Sequence, residues 1–129
     1  MIRLKRAYEP AAAADGTRFL VERLWPRGMT KAALKLDGWL KDVAPSQELR
    51  SWYSHDVARW PEFRRRYLAE LAANQEALAP LRAAARSGTM TLVFASRDAE
   101  HCSAAVLKEH LTSPRTSRPR PSSRPRRRA

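Results

Sequence analysis

A chain of 129 residues has room for one domain and excludes a two-domain arrangement. No apolar run approaches the roughly 18 residues that cross a bilayer, and Met1-Ile2-Arg3-Leu4-Lys5-Arg6 leads into no apolar signal core, so a cytoplasmic protein with no membrane partner is expected. The formal charge of +12 divides unevenly, because Arg115, Arg118, Arg120, Arg124, Arg126, Arg127 and Arg128 all lie in the last 17 residues, leaving 18 basic against 13 acidic residues upstream, a net +5.

That composition reads as a single folded domain over residues 1–112 and a disordered basic tail of arginine, proline and serine over 113–129. A single cysteine, Cys102, excludes an internal disulfide.

In chain order, Ile2 to Tyr8 alternates apolar and basic residues, the period of a strand with a wet face or at a sheet edge. Glu9 to Gly16 holds Pro10, four alanines and the turn signal Asp15-Gly16, with room for a helical turn. Thr17 to Trp25 reads as a second strand with an apolar centre and a charged end. Pro26 and Gly28 break it, and Thr30 then reads as the N-cap of a helix carrying Ala33, Leu34, Leu36, Trp39 and Leu40. Pro45 closes that helix, and Ser46 opens a short one with Leu49, Trp52 and Tyr53. Trp60-Pro61-Glu62 places proline in a first helical turn, and Phe63, Tyr67, Leu68 and Leu71 then share a face. Pro80 predicts a break or kink near Ala79, with a last piece ending at Ser87-Gly88. Thr89 to Ser96 is the apolar run of a buried, central parallel strand, and Asp98 reads as the cap of a closing helix from Ala99 to Leu111. Strands joined by long helical stretches imply crossover connections: a small three-layer α/β sandwich with a mostly parallel sheet flanked by helices.

In such sheets ligands collect outside the carboxyl ends of strands. Two segments sit there. Glu22-Arg23-Leu24-Trp25-Pro26-Arg27-Gly28 supplies arginine forks for carboxylate or phosphate, a ring for a planar ligand, and a glycine that permits close approach. Ser96-Arg97-Asp98 offers a hydroxyl and a guanidinium before a helix. The structural alternative pairs Glu22 with an arginine, puts Trp25 at the core edge, and makes Ser96 and Asp98 helix caps. Cys102 is either a nucleophile activated by the helix dipole and Arg97 or a small buried hydrophobe. His55-Asp56, His101 and His110 lack metal-ligand spacing, so no metal is expected. Arg64-Arg65-Arg66 reads as the solvated face of a helix.

The run Asp15-Gly16, Arg18, Leu20 to Gly28 resembles the signature of the YeaO-like branch of the domain of unknown function 488 family. Ser54-His55-Asp56, Trp60, Glu62-Phe63-Arg64, Arg66-Tyr67, Glu70-Leu71, Ala95 to His101 and Val106-Leu107 follow in the same order, so the resemblance covers about Ile2 to Leu111. It implies a compact bacterial α/β protein of the cytoplasm and supplies no activity or cofactor. Glu22 stands where that branch has aspartate, keeping a carboxylate, and Cys102 stands where it has asparagine, removing an amide.

The leading expectation is a site for a phosphate- or carboxylate-bearing small molecule formed by Arg23, Trp25, Arg27, Gly28, Ser96 and Arg97, with Glu22, Asp98 and Cys102 as the catalytic candidates if chemistry occurs there. Its rivals are a nucleic-acid-binding module that uses the tail arginines, and a protein-interaction module that uses Trp52, Tyr53 and Trp60. The tail itself reads as a basic arm or as a frame-shifted extension of GC-rich coding sequence.

Overall fold

The computed structural model describes residues 1–54, 56–98 and 100–112; the tail arginines lie outside these. The described residues form strands β1 (Ile2–Arg6), β2 (Thr17–Leu20), β3 (Gly38–Trp39) and β4 (Met90–Phe94), and helices α1 (Lys31–Leu34), α2 (Gln47–Tyr53), α3 (Trp60–Ala72), α4 (Gln75–Ser87) and α5 (Ser103–Thr112). The sheet order is β1-β4-β2-β3 and every ladder is parallel. As its apolar run requires, β4 is buried along its whole length, between β1 and β2, with Leu92 level with Leu4 on one side and Phe19 on the other.

Side chains alternate across the sheet, so its two faces carry different cores. Met90, Leu92 and Phe94 meet Leu49 and Tyr53 of α2, Phe63, Tyr67 and Leu71 of α3, Leu78 and Leu81 of α4, and Val106 and Leu107 of α5. Val93 and Leu20 face the other way onto a thinner layer with Ala7 and Leu34, walled by Trp25, Met29 and Trp39. The sandwich is therefore lopsided, with four helices against one face and the single turn of α1 against the other.

Four local expectations change. β2 stops at Leu20 rather than Trp25; Val21 N–H still donates to Val93 O (3.1 Å), and the chain then leaves the sheet. Thr30 caps its helix as expected, its Oγ1 accepting from Ala33 N–H (3.0 Å), but the helix lasts one turn, ended by Lys35 in the left-handed region, and Gly38-Trp39 pairs with β2 as a strand. A side chain at Gly38 would crowd β2, because a Cβ there would lie 3.0 Å from the Phe19 ring. The break expected near Ala79 falls at Ala73-Asn74, where the Gln75 amide donates to the Leu71 carbonyl at the end of α3 (3.0 Å). Pro80 sits inside continuous α4 on its exposed side, and Glu76, whose carbonyl loses its helical donor there, is exposed too. Finally, Asp98 caps a turn rather than the closing helix, which starts at Ser103.

On the thin face a charged cluster replaces apolar packing. Asp15, only 1% exposed, accepts from Arg18 Nη1 (2.6 Å), Lys5 Nζ (3.1 Å) and Ala12 N–H (2.9 Å), and its own carbonyl accepts from Thr91 Oγ1 (2.7 Å). Burial pushes the Asp15 carboxyl up, but the Ala12 N–H and the Lys5 and Arg18 charges outweigh it and hold the carboxyl below its ordinary 3.8. Asp15→Asn leaves Arg18 buried without its counter-charge, and a loss of about 3 kcal/mol in denaturant unfolding at pH 7 is expected. Because a lowered carboxyl stabilises the fold above its unfolded value and loses that effect as pH falls, the gap between wild type and Asp15→Asn should narrow below pH 3.8.

Candidate functional site

The exits of β2 and β4 lie side by side, and outside them opens a cleft of about 640 Å³. Glu22, Leu24, Trp25, Pro26 and Arg27 line it from the first exit, Ala95 and Ser96 from the second, with His101, Cys102 and Ser103 leading into α5. The fourth wall is α2, through Gln47, Arg50, Ser51 and Tyr53, with Phe63 of α3 behind it.

Glu22 ties the exits together, Oε2 accepting from Ala95 N–H (3.0 Å). The expected pairing of this acid with an arginine is indirect: the Arg50 charge acts on it, but no ion pair joins the two among the described residues. Arg27 is presented by a tight turn in which Met29 N–H donates to Pro26 O (3.3 Å) and Gly28 sits at φ +80°, the left-handed position such a turn requires. Tyr8 Oη donates to Arg27 O (3.1 Å) and Trp25 Nε1 to Met29 O (2.7 Å), so both flanks of the turn are held. Trp25 also stands edge-on to Trp39, 5.4 Å between centroids. It serves as core edge and cleft wall at once. Leu24, at 71% exposure, leaves an apolar side chain on the cleft lining open to solvent.

Four expected site residues lie elsewhere. Arg23 turns away, its Nε donating to Pro45 O (3.0 Å) on the side of Asp42 and Glu70. Gly28 shapes the turn without lining the cleft, Arg97 is exposed beside it, and Asp98 is not in its wall. Asp98 Oδ1 accepts from Glu100 and His101 N–H (both 3.0 Å) and Oδ2 meets His101 Nδ1 at 2.8 Å. The His101 N–H and ring hold the Asp98 carboxyl below its ordinary value, so it is ionised and His101 Nδ1 is the donor. The imidazole is thereby oriented, edge-on to Trp60 at 5.2 Å.

The Cys102 side chain packs into the main core. It is buried, and burial pushes its thiol up, opposed by the Ala105 and Ala104 N–H groups and reinforced by the Glu22 and Asp98 charges. The aromatic trio does not form an exposed patch either: Tyr53 is buried, Trp60 stacks on Phe63, and Trp52 is covered by the Arg59 and Arg66 guanidinia. Arg65 and Arg66 pair with Glu62 and Arg64 with Glu109, as a solvated face does. His55 lies outside the described residues, among which no three His, Cys, Asp or Glu side chains converge on a metal position. No helix among them is long and apolar enough to cross a membrane.

Arg50 and His101 were not legible as site residues. Arg50 falls three positions before the core residue Tyr53, so α2 turns it inward, and its Nε is buried without an acceptor. The cue available in the sequence was that i, i+3 relation to a buried aromatic.

The family model described as the inactive DUF488-N3 subclade matches residues 1–126. The chain belongs to the DUF488 family. Among its DUF488-like relatives, the chain is 41% identical over 112 residues to the uncharacterised protein YeaO of Escherichia coli strain K12, covering 87% of this chain and 97% of that one. It is 44% identical over 110 residues to the uncharacterised protein Rv3073c of Mycobacterium tuberculosis strain H37Rv, covering 85% and 92%. No solved structure matches it. The family match runs past Leu111, where the motif resemblance ends, and into the basic tail.

Burial pushes the Glu22 carboxyl above its ordinary 4.5, against the Ala95 N–H and the Arg50 charge. The folded chain thus holds this proton more tightly than the unfolded one, and the stability it contributes, fullest below 4.5, is lost as pH rises through the folded value. Glu22→Gln keeps an acceptor for Ala95 and removes the charge. Thermal unfolding should show a higher midpoint than wild type at pH 7, with the difference vanishing below pH 4.5.

Proposed function

We propose that the cleft binds an anionic small molecule, phosphate- or carboxylate-bearing, at the carboxyl ends of β2 and β4. One observation carries this reading: Arg50 and Arg27 line the same cleft, neither guanidinium donates to any acceptor among the described residues, and Arg50 Nε is buried. A buried donor left unsatisfied costs about 1–3 kcal/mol, and a ligand oxygen removes that penalty while taking two forked cations that suit carboxylate or phosphate. Ser96, from the neighbouring strand exit, adds a hydroxyl to the wall.

The reading is of binding without turnover. The thiol beside the cleft is pushed up rather than activated, Asp98 is committed to His101 and the turn before α5, and the matched subclade is described as inactive.

Thermal unfolding in the presence of inorganic phosphate, and separately of citrate, tests the proposal. At a hundredfold excess over Kd a ligand that binds only the folded state adds about 2.7 kcal/mol, a shift of several degrees for a domain of this size. Arg50→Met and the solvent-exposed Arg27→Met should each weaken binding by about tenfold or more, the loss of one charge-assisted contact. A wild-type protein unmoved by either anion, or shifts that survive both substitutions, would overturn it.

A further inference from the structure

The anion-binding reading leaves one group in the cleft unexplained, and the inference that follows from it rests on that reading. Glu22 sets a carboxylate among the cations. Its Oε2 is taken by Ala95 N–H, while Oε1 has no donor among the described residues. Arg50 Nε, lining the same cleft, has no acceptor. A ligand that was only an anion would answer Arg50 and be repelled by Glu22. A ligand presenting a hydrogen-bond donor next to an acceptor answers both, the donor going to Glu22 Oε1 and the acceptor to Arg50 Nε.

The remaining walls say what bears that donor and acceptor. Trp25, Tyr53 and Phe63 give the cleft three aromatic side chains. Trp25 is fixed by its bond to Met29 O and its contact with Trp39, and Phe63 by its packing against Tyr53 and Trp60, 4.5 and 5.3 Å between centroids. Fixed rings suit a flat aromatic body. The cations are graded in depth: Arg50 is half-buried, whereas Arg27 is exposed, on the same strand exit as the exposed Leu24. The charged end of the ligand therefore lies outward and its flat polar-edged end inward. About 640 Å³ falls within the roughly 300–1,000 Å³ of small-molecule sites.

We infer that the cleft takes a nucleoside monophosphate unit, its base edge between Glu22 and Arg50 and its phosphate at Arg27 and Ser96. Every nucleobase carries a donor beside an acceptor on its pairing edge, and a phosphate is the anion attached to it. The unit comes either as a free nucleotide or as the phosphorylated end of a single strand, whose splayed base would enter in the same way.

Calorimetric titration of the full chain tests this with the four ribonucleoside 5′-monophosphates, ribose 5-phosphate, inorganic phosphate and a 5′-phosphorylated single-stranded trinucleotide. At least one nucleotide should bind tenfold or more tightly than ribose 5-phosphate. Glu22→Gln, which turns an amide N–H₂ toward the base donor once Ala95 holds the oxygen, should bring that ratio to within twofold, with its folding verified by its thermal midpoint. Glu22-dependent trinucleotide binding tighter than that of the mononucleotides would assign a strand end, and the reverse order a free nucleotide; both uphold the inference. Ribose 5-phosphate binding as tightly as every nucleotide would overturn the nucleotide inference while leaving the anion reading intact. No binding of any phosphate, inorganic phosphate included, would overturn the nucleotide inference, and the anion reading falls with it only if citrate also leaves the protein unmoved.

Discussion

The place of β4 between β1 and β2 constrains most of the remaining structure. All five of its residues ladder in parallel with β1 and four of them, Met90 to Val93, with β2; its side chains are buried on both faces, and Thr91 is the one polar residue in it. Thr91 is accommodated because its hydroxyl donates to the Asp15 carbonyl. The shared register brings β2 and β4 to an end together, so that Ala95 N–H, the first amide beyond β4, finds the Glu22 carboxylate instead of another strand. The cleft is a consequence of that pairing: two exits leave the sheet at one level, and α2 and the approach to α5 close over them.

The two faces of β4 solve burial differently. Toward α2–α5 the core is apolar and thick, and it suffices without charge. Toward α1, four apolar residues are fully covered among the described residues, and the Lys5–Asp15–Arg18 cluster adds to that side. A buried ion pair is poor insulation compared with apolar packing, but once Arg18 is 97% covered its counter-charge is indispensable. The cleft has the reverse arrangement. Among the described residues neither the Arg50 nor the Arg27 guanidinium is ion-paired, and Glu22, on which the Arg50 charge acts, is hydrogen-bonded to a backbone amide instead. Charges committed to stability are paired on the thin face; those at the strand exits are not.

Much of the fold was legible. The apolar run at Thr89 to Ser96 identified the central strand, the alternation at Ile2 to Tyr8 an edge strand, and Ser46 and Trp60-Pro61 the starts of α2 and α3, because each is a periodic or capping signal that local physics enforces. β3 was not legible, since two residues carry no period and Leu34, Leu36 and Trp39 also fit a helix; Lys35 in the left-handed region and the fit of Gly38 against Phe19 decide it, and both are tertiary facts. At the site, Glu22, Trp25, Arg27 and Ser96 are legible from their place at strand exits and Cys102 from its place before the closing helix, and all five line one cleft. Arg23 and Arg27 are alike in sequence, because which arginine turns inward depends on the Pro45 carbonyl and the Gly28 turn. Arg50 lies on α2 rather than at a strand exit, and its i, i+3 relation to the buried Tyr53 is the one sequence cue that turns it inward.

The most direct test of the cleft as an anion site is a two-dimensional nitrogen–proton NMR titration with inorganic phosphate that follows the arginine side-chain Nε–H signals as well as the backbone. Binding at the strand exits shifts the Arg50 and Arg27 Nε–H signals together with the amides of Ala95 and Ser96, and leaves Arg18 and Arg23, whose Nε–H groups already donate to Leu34 O and Pro45 O, unmoved. Shifts confined to other arginines, with Arg50 and Arg27 unchanged at saturating phosphate, would contradict it.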